Sequence, residues 1–340
     1  MRAAPNFWAE HPGVFANLLL PIGAAWDSIG RLRRALIRSY CPPIPVICIG
    51  NLVAGGAGKT PVALAVAAHL AGRGLNVHIV TRGYGGRLAG PVQVDPERHE
   101  ASAVGDEALL LAARAPCWVA RDRAAGVHDA VAAGADIALL DDGFQNPTVA
   151  KTLSLLVVDA SYGFGNRRVI PAGPLRESVQ RGLARADGLV LLSERRYAGG
   201  ADRLEVRREL PVFSASLAPI AGERLAGARL LAFAGIGRPE KFFASLRSLG
   251  AELVGARAFP DHYPFRDTQI AELRRDAEQA RARLITTAKD IVRVPAASRA
   301  GIEVLEVEIR WDDPGAVCEF FRPVVQSAAS DGANSVDRRD

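Results

Sequence analysis

The stretch Gly50-Asn51-Leu52-Val53-Ala54-Gly55-Gly56-Ala57-Gly58-Lys59-Thr60 decides the fold of this chain. It follows the apolar segment Ile44–Ile49, a predicted buried strand, and precedes the alanine-rich segment Val62–Ala71, a predicted helix. A glycine-rich turn between a strand and a helix is typical of a Walker A loop. In such a loop the backbone N–H groups surround phosphate oxygens, and the helix N-terminus adds the positive end of its dipole. The stretch therefore predicts a phosphate-binding loop for a nucleoside triphosphate.

Two side chains of this loop have expected chemical roles. The Lys59 ammonium is predicted to reach the β- and γ-phosphates, which makes it a catalytic candidate, and the Thr60 hydroxyl to ligate Mg²⁺. The strict pattern has glycine where this chain has Val53, so the loop is a variant, and a glycine-rich turn without a ligand is the alternative interpretation. The residues predicted to bind the nucleotide are Val53, Ala54, Gly55, Gly56, Ala57, Gly58, Lys59 and Thr60.

Short apolar runs alternate with helical stretches along the rest of the chain, which favours an α/β fold with a parallel sheet covered on both faces. The further strands predicted for this sheet are Val77–Val80, Cys117–Ala120, Ile137–Leu140, Leu155–Val158 and Leu189–Leu192, with a helix at Arg123–Ala133. A second, smaller α/β region is predicted to contain strands Leu230–Ala234, Leu253–Phe259, Leu284–Thr287 and Val304–Ile309 and helices Glu240–Leu249, Thr268–Arg281 and Pro314–Pro323.

The composition shifts predict four parts of the chain. Residues 1–40 are an N-terminal segment and residues 41–200 the phosphate-loop domain. Residues 201–325 are the second α/β domain, which begins with a linking β-ribbon around Ala201–Leu217. Residues 326–340 are small, polar and charged, and are predicted to be disordered.

Two carboxylates follow the predicted strand Ile137–Leu140. Asp141 and Asp142 have the form of a Walker B segment, whose aspartate holds Mg²⁺. Without a cation, two adjacent carboxylates would repel each other. A role in the turn Asp141-Asp142-Gly143 is the alternative.

The sequence lacks two motifs that are typical of GTPases. Guanine recognition usually needs [NT]-K-x-D, and the nearest stretch, Thr287-Ala288-Lys289-Asp290, has lysine directly before aspartate. Asp141 is followed three residues later by Phe144, so a D-x-x-G switch is also missing. These departures argue against a GTPase.

The amino-acid composition indicates the cellular compartment of the protein and the kind of partner it binds. The four cysteines are scattered without metal-ligand spacing, which favours a reduced, cytosolic compartment. The net charge of +5 comes largely from arginine, which suits an anionic partner, although genomic base composition gives the same bias. Because basic stripes with interleaved aromatic residues are absent from the sequence, no nucleic-acid partner is expected.

The N-terminal segment is unusual because Val14–Trp26 is mostly apolar and yet too short to span a bilayer. Arg31, Arg33, Arg34 and Arg38 follow it. An apolar patch flanked by arginines suits a helix lying on an anionic membrane surface. A helix packed on the protein's own core is the alternative.

Several motifs, in one order over residues 5 to 325, resemble the tetraacyldisaccharide 4′-kinase family of lipid A biosynthesis. Besides the phosphate loop with Pro61, they are Thr81-Arg82-Gly83-Tyr84-Gly85, Val104-Gly105-Asp106-Glu107, Asp141-Asp142-Gly143-Phe144-Gln145, Pro171-Ala172-Gly173-Pro174-Leu175-Arg176-Glu177, Phe233-Ala234-Gly235-Ile236-Gly237-Arg238-Pro239 and Phe259-Pro260-Asp261-His262-Tyr263. The chain departs from the family at Ala288, where the family has glutamate.

The resemblance implies ATP-dependent phosphorylation of the 4′-hydroxyl of a tetraacylated glucosamine disaccharide 1-phosphate. It places the reaction at the cytoplasmic face of the inner membrane and adds weight to the membrane-surface interpretation of the N-terminal segment. It also implies a P-loop domain and a smaller α/β domain joined by a β-ribbon, with ATP and Mg²⁺ as cofactors. We expect the chain to act as a monomer.

The resemblance also implies site residues. Asp106 is similar to the family's catalytic base and His262 to its partner in a dyad, which suits removal of a proton from a sugar hydroxyl. The candidates for Mg²⁺ or its waters are Thr60, Glu107, Asp141, Asp142 and Gln145. Three further questions stay open at this point. Arg82 and Arg123 either pair with phosphates or lie at the surface, and Asn166, Arg176 and Glu177 either line a lipid headgroup site or only shape a loop. The alternative function is a membrane-tethered ATPase switch without an acceptor.

Overall fold

The computed structural model describes residues 5–9, 13–193 and 210–336, with side chains as far as residue 329. Its main feature is a nine-stranded, mostly parallel sheet in the order β13-β8-β7-β6-β1-β5-β2-β4-β3. The central strands β1, β2, β5 and β7 are buried along their whole length. This burial is expected of parallel strands that are covered by other elements on both faces. The predicted α/β fold is confirmed.

The strands and helices begin and end close to the predicted positions. The strands are β1 Val46–Gly50, β2 Val77–Thr81, β3 Val92–Gln93, β4 Cys117–Val119, β5 Ile137–Asp141, β6 Leu153–Asp159, β7 Gly188–Leu192, β8 Val212–Pro219, β9 Arg229–Ala234, β10 Glu252–Ala258, β11 Arg283–Thr287, β12 Ile302–Leu305 and β13 Val307–Trp311. The described α-helices, in our numbering, are α1 Val14–Leu18, α2 Leu20–Leu36, α3 Lys59–Ala71, α4 Ala101–Val104, α5 Asp106–Ala112, α6 Arg123–Ala132, α7 Val179–Leu183, α8 Pro239–Ser248, α9 Asp267–Gln279, α10 Ala288–Ile291 and α11 Pro314–Val336.

A second, four-stranded sheet forms the smaller unit. Its strands are all parallel and lie in the order β10-β9-β11-β12. Phe242, Phe243 and Leu246 of α8 pack on one group of its buried side chains. Ile270 and Leu273 of α9 pack on a separate group. The second sheet is therefore covered by helices, like the first.

An antiparallel strand pair joins the two units. Strand β8 pairs with β13, and it also pairs with β7 of the large sheet. The chain thus leaves the large sheet after Pro219 and returns to it at Val307. Strand β8 lies in the second half of the predicted ribbon around Ala201–Leu217, and residues 201–209 of that ribbon lie outside the described residues.

Three predicted boundaries differ from the structure. The single strand predicted at Val304–Ile309 is two strands in different sheets, β12 and β13, because the chain crosses between the units there. The second unit therefore does not extend over residues 201–325. Residues 326–336, predicted to be disordered, continue helix α11. Val324 and Ala328 of this helix are buried in the core of the large sheet. This packing extends the helix predicted at Pro314–Pro323 into residues whose composition predicted disorder.

Two helices follow one another in the N-terminal segment, α1 and α2. Their buried residues are Ala16, Gly23 and Asp27, and their large apolar side chains are exposed. No helix among the described residues is both long enough and apolar enough to cross a bilayer.

Candidate active site

The phosphate loop lies between β1 and α3, as the sequence predicts. The Asn51 side chain is fully buried, and its Nδ2 donates hydrogen bonds to the carbonyl oxygens of Val53, at 2.7 Å, and Gly55, at 3.4 Å. These bonds hold the loop in a compact curve. Helix α3 begins at Lys59, so the loop residues precede a helix N-terminus with free backbone N–H groups.

Two positions explain which residues of the loop must be glycine. Gly58 has φ +81°, and a Cβ there would lie 2.3 Å from Leu192 Cδ1, so glycine is required. Val53 instead forms a β-bridge with Leu175, an extended conformation that any residue adopts. The departure from the strict pattern at Val53 therefore leaves the curve of the loop intact.

Asp141 ends strand β5 beside the start of the phosphate loop. Strand β5 is a direct neighbour of β1, and Asp141 is in register with Ile49. Asp141 is almost completely buried, and its Oδ1 has no hydrogen-bond partner. Burial raises the pKa of this carboxyl to about 7, the nearby Glu107 adds to the rise, and the Lys59 ammonium opposes it. A buried carboxylate without a donor is suited to hold a cation.

Asp142 is held by two cations. Arg176 donates from Nη1 and Nη2 to its two carboxylate oxygens, at 2.8 and 3.1 Å, and Lys59 Nζ lies 3.6 Å from Oδ1. Burial alone would raise the pKa of Asp142, but the charges of Lys59 and Arg176 lower it. The phosphate-loop lysine is thus oriented by a carboxylate of the Walker B segment, which is expected to remain ionised.

Gln145 connects the two motifs. Its Nε2 donates to the Asn51 carbonyl oxygen at 2.9 Å and to Glu177 Oε1 at 3.2 Å, and its Oε1 accepts from Arg176 at 3.3 Å. Both ends of the amide are therefore already engaged. Among the described residues, no three His, Cys, Asp or Glu side chains come together as a metal site. The structure therefore does not assemble the five predicted metal ligands into one cluster.

The predicted dyad is formed between the two units. His262 Nδ1 lies 3.0 Å from Asp106 Oδ2 although 156 positions separate the residues. Asp106 begins α5, and its Oδ1 also accepts the Glu107 N–H at 3.1 Å. His262 follows β10 and has φ +60°, an uncommon conformation for a residue other than glycine. Gly105 has φ +90°, and a Cβ there would lie 2.5 Å from the Tyr84 carbonyl oxygen, so glycine is needed to bring Asp106 into place.

The charges around Asp106 keep it ionised. Burial would raise its pKa, but the hydrogen bond with His262 and the charges of Lys289 and Arg293 outweigh this and hold the pKa at about 2. An ionised Oδ2 cannot donate, so His262 Nδ1 is the donor of their hydrogen bond. The ionised carboxylate can therefore act as a base, and the Nδ1–H of His262 orients it.

Two basic residues of this region were missed by the sequence analysis. Arg293 Nε donates to Asp106 Oδ2 at 3.0 Å, and Lys289 Nζ lies 3.2 Å from Glu107 Oε1. Both follow strand β11, Lys289 within the stretch that resembles neither the guanine motif nor the family at Ala288, and Arg293 just after it. Three charged residues directly after a buried strand, Lys289, Asp290 and Arg293, are the signal that could have identified them.

The remaining candidates separate into buried and exposed side chains. Arg82 is exposed. Arg123 is buried and donates to the Ala120 carbonyl oxygen, and burial lowers its pKa to about 10, so a surface role is wrong for Arg123. Asn166 donates to the Phe7 and Ala172 carbonyl oxygens, and this supports a role in shaping the loop. Glu177 is buried and paired with Arg185 at 2.5 Å.

Comparisons with known proteins identify the family of this chain. A model of the tetraacyldisaccharide-1-P 4′-kinase family matches residues 15–326. The chain belongs to this family. The tetraacyldisaccharide 4′-kinase of Rhodospirillum centenum is 51% identical over 335 residues, 97% of this chain and 98% of the relative. That of Paramagnetospirillum magneticum is 49% identical over 319 residues, 94% of this chain and 97% of the relative.

A solved structure has the same fold. LpxK from Aquifex aeolicus, determined in complex with ATP, superposes with a TM-score of 0.74 at 24% identity and covers 92% of this chain and 100% of its own. The predictions of the fold, the family and a kinase enzyme are confirmed. The individual site residues stay predictions.

Proposed function

We propose that the chain transfers the γ-phosphoryl group of ATP to the 4′-hydroxyl of a tetraacylated glucosamine disaccharide 1-phosphate, an intermediate of lipid A biosynthesis. The observation that carries the proposal is the His262–Asp106 hydrogen bond of 3.0 Å, formed between the two units beside a phosphate loop. Family membership supplies the acceptor, because the matching family is described as a kinase of tetraacyldisaccharide 1-phosphate. Phosphoryl transfer needs positioning and charge stabilisation more than covalent chemistry, and the site has residues for both.

ATP would bind with its phosphates in the loop of residues 53–60. The N–H groups before α3 would donate to phosphate oxygens, and Lys59, oriented by Asp142, would stabilise the charge that develops during transfer. Arg176 would keep Asp142 in position through its two hydrogen bonds.

Asp141 and Thr60 fit a magnesium ion. The unpartnered Asp141 Oδ1, and the rise that burial and Glu107 cause in the pKa of this carboxyl, indicate a site that lacks a positive charge. A Mg²⁺ ion held there would supply positive charge to neutralise the phosphates. Asp142, Gln145 and Glu107 would act indirectly, because their side chains already have partners in the protein: Lys59 and Arg176 for Asp142, the Asn51 carbonyl, Arg176 and Glu177 for Gln145, and Lys289 for Glu107.

Asp106 would act as the base. Its carboxylate would accept the proton of the 4′-hydroxyl as that oxygen attacks phosphorus, and His262 would hold the carboxylate in position.

The proposal is tested by following label from [γ-³²P]ATP in the presence of a tetraacyldisaccharide 1-phosphate. We expect label on the lipid, and none on a matched acceptor whose 4′-position already carries phosphate. Label released only as inorganic phosphate would support the alternative, a membrane-tethered ATPase switch, and would contradict the kinase proposal.

We further propose that α1 and α2 lie on the cytoplasmic face of the inner membrane. Val14, Phe15 and Leu18 of α1 are exposed to at least 75%. Five large apolar side chains of α2 are exposed to at least 56%: Ile22, Trp26, Ile29, Leu32 and Leu36. Arg31, Arg33 and Arg38 are exposed beside these side chains, whereas Arg34 Nη2 points to the protein and lies 3.6 Å from Glu177 Oε2. The helices are attached to the protein through Asp27, whose Oδ2 lies 2.6 Å from Arg181 Nη2. This exposure argues against packing of these apolar side chains on the protein's own core.

Vesicle binding tests this arrangement. Burying a large apolar side chain contributes roughly 1.5–3 kcal/mol, so the double variant Phe15→Ser, Leu18→Ser should bind anionic vesicles at least about tenfold more weakly. Leu217→Ser, on the exposed face of β8, is the matched control and should bind as the wild type does. Equal binding by both variants would contradict the membrane-surface proposal.

A further inference from the structure

Arg293 lies between the two carboxylates of the inter-unit contact. Its Nε donates to Asp106 Oδ2 at 3.0 Å, and its Nη1 donates to Asp290 Oδ1 at 3.1 Å and to the Gly235 carbonyl oxygen at 2.7 Å. The Arg293 side chain is 5% exposed. A buried guanidinium with several acceptors in a fixed fork has little freedom to move.

The residues that hold Arg293 also hold His262. The Gly235 carbonyl oxygen accepts the backbone N–H of His262 at 3.1 Å as well as Arg293 Nη1. The Gly235 N–H donates to Asp290 Oδ1 at 3.0 Å, and Thr287 Oγ1 donates to Asp290 Oδ2 at 2.7 Å. Asp290 is completely buried. Asp290 and Gly235 thus form one support for both groups that contact Asp106 from the second unit.

The hydrogen bonds to the Asp106 carboxylate leave one of its lone-pair sites free. A carboxylate has about four lone-pair sites, two on each oxygen. His262 and Arg293 occupy the two sites of Oδ2, and the Glu107 N–H occupies one site of Oδ1. The remaining lone pair, on Oδ1, is the one that can accept a proton from an acceptor hydroxyl.

We infer that Arg293, supported by Asp290 and Gly235, is a positioning residue that fixes the Asp106 carboxylate together with His262 and reserves Oδ1 for the acceptor hydroxyl. This inference rests on the proposed role of Asp106 as the base. Because Arg293 and Asp106 belong to different units, the same contact makes the arrangement of the base depend on the approach of the second unit. Arg293 acts through Asp106 and needs no contact with the substrate.

The test is a double-mutant cycle on kcat for transfer to the lipid acceptor. Losing a hydrogen bond to a charged group corresponds to about 10- to 100-fold, so Arg293→Met should lower kcat by that factor in the wild-type background. In the Asp106→Asn background the same substitution should lower kcat by less than about threefold, because no base remains to be positioned. Arg293→Lys should recover part of the loss, since its ammonium can replace only one of the hydrogen bonds.

Arg299→Met is the matched control. Arg299 lies in the same segment and donates only to the backbone carbonyl oxygens of Val294 and Val292, at 2.9 and 3.0 Å. Its substitution should change kcat by less than about threefold in either background. If Arg293→Met does not fold, the cycle is made with Arg293→Lys.

Different results would contradict the positioning role of Arg293 and the role of Asp106 as the base. An equal cost of the Arg293 substitution in both backgrounds, or no cost at all, would overturn the positioning role and leave the base in place. An Asp106→Asn variant as active as the wild type would instead overturn the proposed base.

Discussion

The phosphate loop and the dyad region, which consists of Asp106, Gly235, His262, Asp290 and Arg293, are built in different ways. The loop is a contiguous stretch of eleven residues within one unit, and its neighbours Asp141 and Asp142 are brought beside it by the pairing of β1 with β5. The dyad region joins residues up to 187 positions apart from two units. One region is therefore formed whenever the large sheet is folded, whereas the other also needs the second unit in place.

Substitution of the dyad has the largest expected effect. Asp106→Ala and His262→Ala should each lower kcat, the first by about 10²–10⁴, because a positioned base contributes that much. The double variant should be little slower than the slower single variant, since both residues serve one proton transfer. ATP binding should survive in all three variants.

Single-turnover kinetics and ATP titration check this expectation, with His128→Ala, an exposed histidine on α6, as the control. Losses that multiply in the double variant would mean that the two residues act independently.

Lys59→Ala tests the other region. Removing one donor from a preorganised site costs about 10²–10³ in rate, and here the affinity for ATP should fall as well because the ammonium is assigned to the phosphates. Steady-state kinetics with varied ATP separates the two effects. Lys241→Ala, an exposed lysine of α8, serves as the control. Near-wild-type turnover by Lys59→Ala would refute the phosphate-loop assignment.

Arg176→Ala is expected to reduce catalysis less than Lys59→Ala does. The substitution removes two hydrogen bonds that orient Asp142, but both side chains are partly exposed, at 28% and 33%, so solvent screens the pair. We expect kcat/KM to fall about three- to tenfold. Arg257→Ala breaks a comparable exposed pair with Asp276 on the second unit and should leave kcat/KM unchanged. Equal effects of the two variants would show that Arg176 does not support the site.

The smallest effect concerns stability in acid. The pKa of Asp106 is lowered from 3.8 to about 2 in the folded protein, so its ionised form favours folding by about 2 kcal/mol. This contribution is fully present above pH 4 and is lost as the pH falls through about 2. The stability difference between the wild type and Asp106→Asn should therefore shrink as the pH is lowered from 5 towards 2.

Urea unfolding at several pH values measures this difference. Arg299→Met is the control, because arginine does not titrate in this range and Arg299 donates to the backbone carbonyl oxygens of Val294 and Val292. Its difference from the wild type should stay constant. A gap between the wild type and Asp106→Asn that stays constant with pH would contradict the lowered pKa of Asp106.

The sequence by itself determined the phosphate loop, the strand that ends in Asp141 and the strand-helix alternation of both units. These features are local: the pattern of apolar residues and glycines within 10 to 20 positions specifies a strand, a turn and the start of a helix. The dyad was predicted only through a resemblance over the whole chain, since no local pattern relates Asp106 to His262.

Tertiary structure alone decided the rest. It moved β8 and β13 into the large sheet and extended α11 as a helix packed on its core. It also brought Arg293, Asp290 and Gly235 together behind Asp106. Strand pairing between distant segments and the approach of two units depend on packing between residues far apart in sequence. Local propensity does not specify that packing. The composition of a segment therefore did not predict which sheet the segment joins or which carboxylate its arginine contacts.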